Sequence, residues 1–150
     1  MSQAGQRILI TVAGHKVDEE TVRLACRMAT RGRGEGRVPA ELYAVHVIEV
    51  IRSLPLSAPV ESQVEQGEKI LDAVEQIGAE FDLGIETEMV QARDTGPAVV
   101  GEADAWKATL IVMGLPYKRR FGEFNLGKTV PYVLKHASCR VILFRERLDD

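Results

Sequence analysis

Short stretches suited to strands alternate with stretches suited to helices along this chain, and that alternation constrains its fold more than any other feature. Residues 7–13 are almost all apolar or β-branched, the composition of a strand covered on both faces of a parallel sheet. Residues 42–50, 109–113 and 140–144 repeat it. Ile85, Thr87 and Met89 instead alternate with Glu86 and Glu88, as a half-buried strand near a sheet edge does. Between these runs the period changes. Asp18 offers a cap for a helix whose inner face is Val22, Ala25, Cys26 and Ala29. Over residues 61–81, Val64, Ile70, Leu71, Val74, Ile77 and Phe81 recur at helical spacing among Glu, Gln and Lys. Pro97 starts a third helix that runs to residue 107 with Trp106 packed at its end, and residues 127–136 form a short fourth.

This order predicts an α/β fold: a doubly wound, five-stranded parallel sheet with right-handed crossovers and helices on both faces. With 150 residues, 45% of them hydrophobic, the chain can bury one core but is short for two, so residues 1–150 read as a single domain. A formal net charge of -3 gives no bulk attraction for nucleic acid or an anionic membrane, so any anion site is local. Residues 31–40 mix glycine, arginine and proline without periodicity and read as an exposed basic turn. Residues 1–6 are polar, with no secretory signal. The longest apolar runs fall far below the roughly 20 residues of a spanning helix, so no membrane insertion is expected. Cys26 and Cys139 show neither CxxC nor Cys/His spacing, which fits a reducing cytoplasm, and Cys26 reads as a small core residue.

Doubly wound sheets bind ligands beyond the carboxyl ends of their strands, where the strand order reverses. Two glycine-containing loops follow buried strands, residues 12–15 and residues 114–128. The second sets Lys118, Arg119, Arg120 and Lys128 around Gly114, Gly122 and Gly127 just before a helix. Amides and the helix dipole attract anions there, which makes a phosphate cradle; a solvated basic loop with turn glycines is the alternative. Residues 122–129 also satisfy GxxxxGK[ST]. A P-loop, however, follows its strand directly and needs a magnesium-binding aspartate, whereas the last strand leads into Arg145. His15, His46 and His136 fall on separate elements and build no triad or metal site, and His46 reads as structural. Glu102 and Asp104 read as a solvated face. Glu123 is the only carboxylate near the candidate phosphates, so a hydrolase lacks an evident general base and no catalytic residue is assigned.

Several segments carry a resemblance: Arg-Ile-Leu-Ile-Thr-Val from residue 7, Ala-Val-His-Val from residue 44, Ile-Val-Met-Gly from residue 111, and residues 132–143. Over residues 7–145 the chain resembles the universal stress protein family. The resemblance implies a sheet of order 3-2-1-4-5, switching between strands one and four. In the nucleotide-binding branch it also implies ATP or a related adenine nucleotide, with magnesium accompanying the phosphates. Taken together, the resemblance and the basic loop give the expected contacts Val12, Ala13, Val47, Met113, Gly114, Tyr117, Lys118, Arg119, Arg120, Gly127, Lys128 and Thr129, with the basic side chains of the loop serving where relatives use bare backbone. Gly114 and Gly127 match the outer glycines of the family's Gly-x2-Gly-x9-Gly-Ser/Thr pattern. Tyr117 replaces the middle glycine, where its side chain would reshape the phosphate site, and Lys128 stands at the hydroxyl position with Thr129 beside it. Ala13 replaces the adenine-side aspartate.

The family also dimerises through its last strand. Val141, Ile142, Leu143 and Phe144 form an unbroken apolar edge that invites a homodimer, with Arg140, Arg145 and Arg147 as edge-guarding charges in the opposing reading. The sequence therefore points to a dimeric, non-enzymatic regulatory domain sensing an adenine nucleotide. The competing readings are an interaction module that binds no nucleotide and a cyclic-dinucleotide sensor.

Overall fold

The computed structural model describes residues 5–31 and 38–148, and the side chain of Arg120 lies outside that description. The polar start at residues 1–4 and most of the expected basic turn, residues 32–37, lie outside the described residues. The chain runs β1 (Arg7–Thr11), α1 (Asp18–Arg31), β2 (Glu41–Glu49), α2 (Glu61–Glu80), β3 (Ile85–Ala92) and α3 (Thr95–Trp106). It continues through β4 (Leu110–Leu115), β5 (Lys118–Arg120), β6 (Glu123–Asn125), α4 (Thr129–His136) and β7 (Arg140–Arg145).

Five parallel strands form one sheet of order β3-β2-β1-β4-β7, the expected 3-2-1-4-5 once the two short strands β5 and β6 are set apart. Alternate residues of a strand face opposite sides, so β1 and β4 feed two cores. Ile8, Ile10, Leu110 and Val112 pack with Val22, Ala25, Cys26 and Ala29 of α1 and Leu71, Val74 and Ile77 of α2. Leu9, Ile111 and Met113 pack with Val99 and Ala103 of α3 and Val130 and Val133 of α4. The central strands are thus covered on both faces, as their unbroken apolar runs require.

The loop expected over residues 114–128 is not one continuous loop. β4 extends to Leu115, and β5 and β6 pair antiparallel with Lys118 opposite Asn125 and Arg119 opposite Phe124. A two-residue connection makes this possible: Phe121 (φ 54°) and Gly122 (φ 79°) are both left-handed, the geometry that matches strand twist in tight hairpins. Helix starts also differ from expectation. α3 begins at Thr95, two residues before Pro97, because the Glu49 carboxylate accepts from both the Thr95 amide (2.9 Å) and its hydroxyl (2.8 Å). α4 begins at Thr129, since Gly127 is left-handed at φ 71°. Glu102 and Asp104 are not merely solvated: Tyr43 donates to Glu102 (2.6 Å) and Ser138 to Asp104 (2.9 Å). Trp106 does pack at the end of its helix, 5.1 Å from the Tyr43 ring and 4.1 Å beneath the Arg7 guanidinium.

Candidate functional site

Where the strand order reverses, β1 and β4 diverge beyond their carboxyl ends and leave a cavity of about 340 Å³, within the range of roughly 300–1,000 Å³ usual for small-molecule sites. Its apolar wall is built from strand ends and inner helix faces: Val12, Val45, Val47, Val99, Met113 and Val130. The opposite end is polar, formed by Lys118 and Asn125 of the hairpin, by Gly127 and Lys128, and by Thr129 opening α4.

Each polar group is held by local chemistry. Asn125 Oδ1 accepts from the Gly127 amide at 2.9 Å, a side-chain turn that suits the left-handed glycine after it. No side chain caps α4, so its first amides lack intrahelical acceptors. The Lys128 ammonium lies 3.3 Å from Asp94, which also faces Arg52 at 3.7 Å. Asp18, expected as a helix cap, instead reaches back to the loop, accepting from the amides of Ala13 (3.1 Å) and Gly14 (2.7 Å). Burial raises the Asp18 carboxyl above the ordinary aspartate range, partly opposed by those amides. His46 is buried and bonded through Nδ1 to the Val12 carbonyl at 2.9 Å, the structural role read for it.

Nine of the expected contacts converge on this cavity: Val12, Ala13, Val47, Met113, Gly114, Lys118, Gly127, Lys128 and Thr129. Tyr117 and Arg119 do not line it. The Tyr117 ring stacks on Phe124 (4.8 Å between centroids) beside the guanidinium groups of Arg119 and Arg145, so its side chain is not among those lining the polar end of the cavity. Strand alternation explains the split, because Lys118 and Asn125 share the hairpin face toward the cavity while Arg119 and Phe124 share the other. The expectation for the Arg120 side chain lies outside the described residues. The expected contacts did not include His15, Glu49, Thr95 and Asn125, all of which line the cavity. Glu49 carried a usable signal, since it stands at the carboxyl end of a central strand.

Gly114 has a packing reason as well. A Cβ there would lie 2.4 Å from Thr21 Oγ1 and 3.1 Å from Val17 Cγ1, so the residue lets α1 close onto β4. Among the described residues no group of three or more His, Cys, Asp or Glu side chains could hold a metal ion, and no helix is long and apolar enough to cross a membrane.

The profile of the universal stress protein family matches residues 5–145. A universal stress protein of Methanocaldococcus jannaschii is 28% identical over 147 residues, covering 94% of this chain and 82% of that protein. The universal stress protein from Archaeoglobus fulgidus in complex with dAMP superposes with a TM-score of 0.67 at 21% identity, over 92% of this chain and 96% of that one. A universal stress protein family protein from Arabidopsis thaliana with AMP bound gives a TM-score of 0.69 at 15% identity, over 96% and 94% of the two chains. Both structural likenesses show the shared fold.

Proposed function

The chain belongs to the universal stress protein family, and from that premise we propose that it binds an adenine nucleotide in the cavity beyond β1, β2 and β4. It acts by that binding, and by self-association through β7, in the cytoplasm, where its two free cysteines stay reduced. The carrying observation is the cavity's polarity. A flat apolar wall of Val12, Val47, Val99 and Met113 faces a cationic, amide-bearing end at Lys118, Lys128 and Thr129. A purine needs the first surface and a phosphate the second. Relatives of the same fold are complexes with dAMP and AMP, which supports the reading.

In the proposed complex the base lies against Val12, Val47 and Met113, and the phosphate meets the first turn of α4 with the Lys128 ammonium and the Thr129 hydroxyl beside it. Lys118 closes the site from the hairpin. Glu49, the carboxylate lining the cavity, already accepts two hydrogen bonds from Thr95. It is thereby committed to holding α3, which favours binding over turnover.

Calorimetric titration of protein stripped of co-purified nucleotide tests this, with AMP as ligand and cyclic di-AMP as comparator. AMP is expected to bind, and Lys128→Ala to weaken it roughly tenfold, about 1.4 kcal/mol, without changing thermal unfolding. Binding of the cyclic dinucleotide alone would reassign the ligand. Binding of neither would make the chain an interaction module.

A further inference from the structure

A loop that wraps a polyphosphate must offer several free backbone amides, because each phosphate group needs its own donors. Around this cavity the chain's own side chains take those donors. Asp18 holds the amides of Ala13 and Gly14, Glu49 holds the amide and hydroxyl of Thr95, Glu146 accepts from the Tyr117 amide at 3.0 Å, and Asn125 takes the amide of Gly127. Three of the four occupants are carboxylates, and Glu49, which lines the cavity, also repels added negative charge there.

What is left at the first turn of α4 is small. The cap Lys128 is followed by Thr129, Val130 and Pro131, and proline has no N–H, so this end of the helix presents three amides and one hydroxyl. That set matches the three terminal oxygens of one phosphate. Among the described side chains, the cations lining the polar end are Lys118 and Lys128, and Asp94 partly neutralises the second.

We infer that this site takes a nucleoside carrying a single phosphate group and discriminates against the triphosphate. The inference rests on the nucleotide reading above and narrows its ligand class. Asn125 is the specificity-determining residue, since it withdraws from the cavity lining the Gly127 amide that a second or third phosphate would need.

Competitive calorimetry on the full chain with adenosine, AMP and ATP, with and without magnesium, tests it. AMP is expected to bind at least tenfold tighter than both adenosine and ATP. Asn125→Ala frees the Gly127 amide and should narrow the AMP-to-ATP ratio severalfold, with circular dichroism confirming that the fold is kept. ATP binding as tightly as AMP overturns the inference and leaves the nucleotide site standing. Adenosine binding as tightly as AMP overturns it too, because the phosphate would then make no contact. Failure of all three to bind removes the nucleotide reading, and the inference with it.

Discussion

At Gly114 the cavity lining and the core meet. Thr21 beside it is fully buried, its hydroxyl committed to the Val17 carbonyl at 2.8 Å, so the atom a new methyl group would strike cannot swing away. Gly114→Ala is therefore expected to lower stability by about 1–3 kcal/mol, the usual cost of overpacking a close contact. Denaturant unfolding reads this as an earlier midpoint, and adding Thr21→Ala should recover part of the loss. An unchanged midpoint would mean that α1 is not seated against β4 as described. The sequence marked Gly114 as a ligand glycine because its spacing fitted a motif; the packing constraint arises from α1, nearly a hundred residues away, and no local pattern records it. Cys26 was easier. Its place on an apolar helical face put it in the core, where burial pushes its thiol up to about 11 and keeps it protonated near neutrality. Glu102 was harder, since its partner Tyr43 lies on a strand 59 positions away.

Among the elements, the β5–β6 hairpin is the one that sequence periodicity hid. Its three-residue strands are too short to show a period of two, and Phe-Gly is not the Asn-Gly or Asp-Gly pair that announces a tight hairpin. A left-handed phenylalanine is costly, because its Cβ crowds the following carbonyl. Phe121 is 92% exposed, so replacement sacrifices little buried surface. Phe121→Asn is accordingly expected to stabilise the hairpin by roughly 0.5–1 kcal/mol, from the left-handed preference of asparagine. Amide exchange at the hairpin measures it: protection of Lys118 and Asn125 should rise, and a fall would show that the aromatic ring contributes more than the backbone strain removes. β1, β2 and β4 were legible because their apolar runs are buried on both faces, β3 because its first residues alternate, and β7 because its apolar run is unbroken although partly exposed. Helix starts were less so, because the groups that set them, such as Glu49 under Thr95, come from other elements.

On the scale of the whole molecule, a net charge of -3 conceals segregation. Residues 116–148 carry eight lysines and arginines against two glutamates, and they build the hairpin, α4 and the edge strand β7. That edge is also apolar: Val141 and Leu143 pack against one core and Ile142 against the other, while Phe144 remains partly exposed between Leu143 and Arg145. Two forces thus oppose each other if β7 pairs with a second copy. Open backbone groups and Phe144 favour association, whereas bringing Arg140, Arg145 and Arg147 of two copies together disfavours it. Salt separates them, because added ions screen exposed charges beyond about 10 Å at 0.1 M but leave apolar burial nearly untouched. A dimer closed through β7 should tighten severalfold as ionic strength rises from about 0.01 to 0.15 M, and Phe144→Glu should shift it toward a folded monomer; light scattering at each salt concentration measures both. The alternative contact sets the basic edge of one copy against the acidic α2 of another. It is held by opposite charges and would loosen over the same range, so the sign of the salt dependence distinguishes a closed pair from an open, charge-driven assembly.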